Sequence, residues 1–174
     1  MTDAPSFRIA PVPTRRQAIA GLAIALSARL SRAQLMKESP SSPANQIRTS
    51  LHQEVELQTT PRRLYEILLS WKEFAAFTGM PAEIDPDPGG AFSMFGGMIA
   101  GRNIELLPNQ RIVQAWRPAS WPAGIYSVVK FELKPNGAGT TVLLDHSSFP
   151  AGDFDHLASG WYERYWEPLK KYLA

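Results

Sequence analysis

The spacing of apolar residues changes from two to three and four near the end of this chain, and that change constrains the fold more than any other feature. Between Ala91 and Ser148 apolar and polar residues alternate, as in YSVVKFELK, where Val129, Phe131 and Leu133 oppose Lys130, Glu132 and Lys134. A period of two marks half-buried strands. From Asp153 onward the spacing becomes three and four, through Phe154, Leu157, Trp161, Tyr165, Leu169 and Tyr172. That is one face of a helix of about five turns. The strands present an apolar face that needs a cover, and the one large cover in the sequence is this last helix. The expectation is an α+β domain in which a curved antiparallel sheet wraps around a long C-terminal helix. Each large side chain buried in that contact contributes ~1.5–3 kcal/mol. Pro168 is awkward inside the helix, because it removes a backbone donor and predicts a bend.

The segment before the sheet reads differently. SLHQEVELQT alternates as a strand, and Thr60-Pro61 can cap and open a helix. Leu64, Ile67, Leu68 and Trp71 then fall on one helical face. A second short helix carries Phe74 and Phe77 and stops at Gly79. The glycine-rich stretch PGGAFSMFGGMIAG, residues 88–101, raises the question of a phosphate-binding loop. Such a loop needs a lysine and a Ser or Thr after the glycines, then a helix. Here Met98-Ile99-Ala100-Gly101-Arg102 follows and reads as strand, so Gly96-Gly97 is expected to make a tight hairpin turn. LPNQ at 107–110 and PNGAG at 135–139 supply two more turns.

The chain has 174 residues and no cysteine, which excludes disulfides, thiolate metal sites and a cysteine nucleophile. Its formal charge is +2, but residues 1–33 hold Arg8, Arg15, Arg16, Arg29 and Arg32 against Asp3. The remainder has 13 basic and 15 acidic residues, a net of −2, with no basic run to hold nucleic acid. In TRRQAIAGLAIALSARLSRAQ, Arg15-Arg16 precede an apolar run from Ala18 to Ala28. The run falls short of the ~20 residues that span a bilayer. Ser31-Arg32-Ala33 suits cleavage. This stretch resembles a bacterial twin-arginine export signal, although Ala18 replaces the usual phenylalanine and Ala20 a common polar residue. The expected organisation is a signal peptide at 1–33, a flexible Ser/Pro/Asn-rich linker at 34–49 and one folded domain at 50–174. Export would make the mature protein periplasmic or secreted, with no stable membrane insertion after signal removal. An amphipathic N-terminal helix or an organellar transit peptide is the alternative, and without a signal the protein is cytoplasmic.

Catalytic groups are sparse. His52, His146 and His156 are the histidines, and none has metal-ligand spacing with another. Asp145 and His146 are adjacent on a strand and face opposite ways. His146 either faces the interior as an acid or base, or is a hydrogen-bonded wall residue, the simpler reading. Ser147, Ser148 and Ser159 form no nucleophile elbow. Glu105, Glu132 and Asp145 belong on the wet face. Phe92, Met94, Trp116, Phe131, His146, Phe149, Trp161 and Tyr165 are candidates to line one interior, with Met98 as an adaptable wall. Those residues equally suit a filled core. No cofactor and no metal are expected.

Several motifs resemble the C-terminal domain of activators of the ninety-kilodalton heat-shock protein ATPase. They are Phe77-Thr78-Gly79, Gly89-Gly90-Ala91-Phe92-Ser93-Met94-Phe95, Trp116-Arg117 and Ser120-Trp121-Pro122. Gly160-Trp161, Tyr165-Trp166 and Leu169-Lys170 are similar too, so the likeness covers nearly all of 50–174. The resemblance implies the SRPBCC group with its helix-grip (birch-allergen-like, START-like) fold, and a cavity between sheet and long helix. It departs from the intracellular co-chaperones, whose separate N-terminal domain is replaced here by the expected export signal, so a chaperone partner is not expected. The expected function is binding of a small hydrophobic molecule in that cavity. An enzyme of the cyclase, dehydratase or hydrolase kind and a chaperone-related interaction module are the alternatives.

Overall fold

The structure, a computed structural model, describes residues 47–174. The expected signal at 1–33 and residues 34–46 of the expected linker lie outside the described residues. Strand β1 (Ser50–Leu57) leads into α1 (Pro61–Leu69). Thr60 caps α1 by accepting a hydrogen bond from the Arg63 amide at 3.2 Å, and Pro61 occupies the first turn. Leu64, Ile67 and Leu68 face inward as their spacing predicts, but Trp71 does not join them and is half exposed. Ser70 is the reason. Its backbone is extended and its hydroxyl caps a new helix, α2 (Trp71–Thr78), which resets the helical phase. α2 buries Phe74 and Phe77 and ends at Gly79, whose φ of 69° is the left-handed stop that glycine adopts freely.

Six strands follow: β2 (Glu83–Ile84), β3 (Ala91–Met94), β4 (Ile99–Leu107), β5 (Arg111–Pro118), β6 (Ser127–Asn136) and β7 (Gly139–Ser147). They form one antiparallel seven-stranded sheet with β1, in the order β1-β7-β6-β5-β4-β3-β2. The alternation of β6 and β7 holds: Val129, Phe131, Leu133, Val142, Leu144 and His146 are buried. Lys130, Glu132 and Asp145 face outward, where Lys130 Nζ meets Asp145 at 3.0 Å and His52 Nδ1 meets the same carboxylate at 2.6 Å. These partners, His52 first, hold the Asp145 carboxyl below its usual range. β4 alternates poorly because a bulge between Asn103 and Glu105 turns Ile104 outward.

The glycine-rich stretch is the β3–β4 hairpin. Met94 pairs with Ile99, and Phe95, Gly96 and Gly97 take φ of 53°, 65° and 92°. Three successive left-handed residues explain Gly96 and Gly97 without any phosphate.

The C-terminal helix runs through α3 (Phe154–Trp161), a π-helical turn (Tyr162–Trp166) and α4 (Glu167–Leu173). The chain stays helical across both junctions, and the Glu167 amide bonds to Tyr162 O, five residues back. In a regular α-turn Pro168 would have no donor for the Arg164 carbonyl and would crowd it. A wider turn at this point accommodates that defect. Its consequence is that the adjacent Tyr165 and Trp166 are both buried, whereas Tyr172 stays 39% exposed. The predicted apolar face therefore loses Tyr172 and gains Trp166.

This helix does not cover the sheet alone. A helix about 10 Å across cannot mask seven strands spaced about 4.8 Å apart. α1 and α2 share the work, and Phe74 and Phe77 meet Tyr165 edge-on at 5.5 and 5.7 Å. No helix among the described residues is long and apolar enough to cross a membrane.

Candidate functional site

A cavity of about 280 Å³ opens between α3, the π-helical turn, the β3–β4 hairpin and the loop after β5. Trp116, Trp161, Tyr165, Phe95 and Leu157 form its buried walls. Met98, Ser120, His156 and Arg164 are its exposed rim, and Ile99, Pro118, Ala119 and Gly160 complete the lining. Strand alternation points Trp116 inward. Its ring stacks on Trp161, with centroids 4.9 Å apart and planes 18° apart. Trp161 and Tyr165 follow at 4.7 Å, one turn apart on the helix. Phe95 reaches the cavity through its left-handed backbone, which aims the ring at Phe74 and Tyr165. At Gly160 an added Cβ would meet nothing within 4 Å, so the missing side chain is part of the open space.

Two hydrogen-bonded links hold the rim. The Ala119 amide donates to Met98 O at 2.8 Å and joins the hairpin to the loop after β5. The Arg117 guanidinium donates to the carbonyls of Trp121 at 2.8 Å and Pro122 at 3.3 Å. The Trp116-Arg117 and Ser120-Trp121-Pro122 motifs thus form one unit in space: the first pins the second.

His146 stands behind this cavity. The Trp161 indole Nε1 donates to its Nδ1 at 3.1 Å, and its Nε2 lies 2.7 Å from Ser127 Oγ. An indole nitrogen can only donate, so Nδ1 is the acceptor and the proton resides on Nε2. Ser127 Oγ in turn donates to Trp116 O at 3.1 Å. Both ring nitrogens of His146 and the Ser127 hydroxyl are therefore paired. Burial pushes the His146 pKa down to about 4, so the ring is neutral near pH 7. Burial also pushes the Tyr165 phenol upward, which keeps it protonated as a hydrogen-bond donor.

Of the eight residues expected to line one interior, Trp116, Trp161 and Tyr165 line the cavity. Phe131 and His146 are one layer back, packed on Trp161 at 5.7 and 5.9 Å. Phe149 packs on the far side of His146 at 5.2 Å. Phe92 and Met94 are buried in the core without reaching the cavity. Sequence reading missed Phe95, Leu157 as a wall, and the polar rim of Ser120, His156 and Arg164. Phe95 interrupts the alternation, and rim residues carry no periodic signal. The Trp116 indole N–H is buried without a hydrogen-bond partner among the described residues. A buried donor left unpaired costs ~1–3 kcal/mol.

The family described as Activator of Hsp90 ATPase homolog 1-like protein matches residues 58–174. Human Activator of 90 kDa heat shock protein ATPase homolog 1 is 30% identical over 113 residues, covering 65% of this chain and 33% of that protein. The match therefore spans about a third of that relative's length. The crystal structure of an HSP90 activator from Plasmodium falciparum superposes with a TM-score of 0.68 at 25% identity, covering 72% of this chain and 96% of that one. CalU16 from Micromonospora echinospora shares the fold at 18% identity, with a TM-score of 0.62 over 72% of this chain and 76% of its own.

Proposed function

This chain belongs to the Activator of Hsp90 ATPase homolog 1-like family, with the helix-grip fold, and from that premise we propose that it binds a small hydrophobic molecule in the cavity beside Trp116, Trp161 and Tyr165. The observation that carries this reading is the cavity itself. Apolar, aromatic walls with few polar groups are what ligand sites have in common. An engineered apolar cavity of about 150 Å³ holds benzene, so about 280 Å³ suits one or two rings rather than a steroid.

Binding is favoured over turnover because His146 is committed. Both ring nitrogens have partners, the ring is neutral, and it lies outside the cavity lining. The test is a thermal-shift screen with one- and two-ring aromatics, followed by native mass spectrometry. A ligand at about 100 times its Kd adds roughly 2.7 kcal/mol of stability and should visibly raise the melting temperature. A full screen with no shift and no retained ligand would count against the reading.

Export through the twin-arginine route is part of the same proposal, supported by Arg15-Arg16 and the short apolar run after them. It would keep the protein from cytosolic chaperone partners. Sequencing the N-terminus of protein recovered outside the cytoplasm tests it; full-length protein confined to the cytoplasm would refute it.

A further inference from the structure

We infer that the cavity takes a small planar aromatic acid, with its rings inside and its carboxylate at the Arg164 guanidinium on the rim. This rests on the cavity-binding reading and narrows it to a ligand class. Among the described residues the lining contains no aspartate or glutamate, while its rim carries Arg164 and His156. Arg164 makes no ion pair among the described residues, although Glu163 and Glu167 are its near neighbours in sequence. Arginine stays charged and matches a carboxylate with two parallel donors. His156, Gly160 and Arg164 follow at intervals of four, so the two basic side chains flank the gap left by the glycine. The Ser120 hydroxyl adds a neutral donor on the facing loop.

The inner walls select shape. The Trp116–Trp161 stack and the Tyr165 ring present flat aromatic surfaces. Flat rings meet such surfaces by offset stacking or edge contacts better than a flexible chain does. An ammonium ligand would place its charge against Arg164 and lose affinity. A neutral ring would fill the same space without using the cation. The combination of aromatic walls, a volume near two fused rings and a cation at the opening that no described residue pairs points to an aromatic carboxylate.

The test is isothermal titration calorimetry on the folded full chain with naphthoate and with naphthylmethanol, its neutral counterpart of similar size. Wild-type protein should bind naphthoate about tenfold more tightly, the scale of one charge-assisted hydrogen-bonded contact. Arg164→Gln should abolish that preference, so that naphthoate and naphthylmethanol bind the variant with equal affinity. Equal affinities for the two probes in the wild type, or a preference that survives Arg164→Gln, would overturn the acid assignment while leaving cavity binding intact. Failure of both probes to bind folded wild-type protein would remove the cavity reading itself, and the assignment with it.

Discussion

The indole nitrogen of Trp161 donates to Nδ1 of His146 at 3.1 Å and fastens the C-terminal helix to β7. A second bond of the same kind lies five residues later, where Trp166 Nε1 donates to Gln53 Oε1 at 2.7 Å and fastens the helix to β1. Gln53 Nε2 returns a bond to Ala158 O at 3.1 Å. The π-helical turn makes this pairing possible. It brings Trp161 and Trp166 to the same side of the helix with their rings 5.8 Å apart and 23° from parallel. The helix is thus held over the sheet by directed polar contacts as well as by apolar burial, and the cavity beside it keeps its shape.

His146 predicts an acid-sensitive fold. Its pKa falls from 6.5 in the unfolded chain to about 4 when buried among Trp116, Phe149 and Trp161. Between those values the unfolded state binds the extra proton, so stability drops as pH falls. The full contribution is present above pH 6.5, and roughly 3 kcal/mol is lost by about pH 4. Urea unfolding at stepped pH should show this loss in the wild type. His146→Phe, less stable near neutrality because Trp161 and Ser127 lose their partner, should lack that part of the slope. An equally steep slope in the variant would assign the effect elsewhere.

Trp166 is expected to matter as much as Trp161. Trp166→Phe keeps most of the buried ring but leaves Gln53 Oε1 without its donor, which should cost about 1–2 kcal/mol. Trp166→Ala should cost about 3–5 kcal/mol, because the side chain is 1% exposed and a cavity would remain. Chemical denaturation measures both. A cost below about 0.5 kcal/mol for the alanine variant would contradict the anchoring role.

The contrast between these two tryptophans shows what sequence alone could reveal. Trp161 lies on the regular face with Leu157 and Tyr165, and a 3.6-residue period finds it. Trp166 enters the core because the ladder shifts before Pro168, and a period cannot report a shift in its own phase. The strands were readable where alternation was long, as in β6 and β7. The two-residue β2 was not readable, and β4 was readable as a strand but not in the direction Ile104 faces across its bulge. The motifs quoted for the family resemblance turn out to be fold devices: Thr78 Oγ1 bonds Phe74 O at 2.7 Å beside the Gly79 stop, and Arg117 pins the Trp121 loop. They disclosed the architecture. The cavity rim is built from residues on three separate elements, and no local pattern joins Ser120 to Arg164.

Gly101 tests the β3–β4–β5 packing beneath the hairpin. A Cβ placed there would lie 2.0 Å from Ala115 O and 2.4 Å from Phe92 Cζ. The backbone oxygen cannot step aside, and Phe92 is itself buried. Gly101→Ala should therefore destabilise by about 3 kcal/mol or more, the upper range for overpacking. A melting temperature within a degree or two of wild type would show that the sheet is looser at this point than its geometry indicates.

Gly160 should behave in the opposite way, because nothing stands within 4 Å of the position its Cβ would take. It sits inside α3 with ordinary helical backbone, where glycine is about 1 kcal/mol worse than alanine. Gly160→Ala should raise stability by up to about that amount. Gly160→Leu should fill part of the cavity, keep or raise stability by burying apolar surface against Trp161, and weaken aromatic ligands at least tenfold, an order-of-magnitude expectation for blocked contact area. Stability and affinity would then move in opposite directions at one position, as expected where a gap is kept for a ligand rather than left by poor packing. Parallel unfolding and calorimetric titrations of the two variants decide it: a leucine variant that binds as tightly as wild type would place the ligand somewhere other than beside this helix.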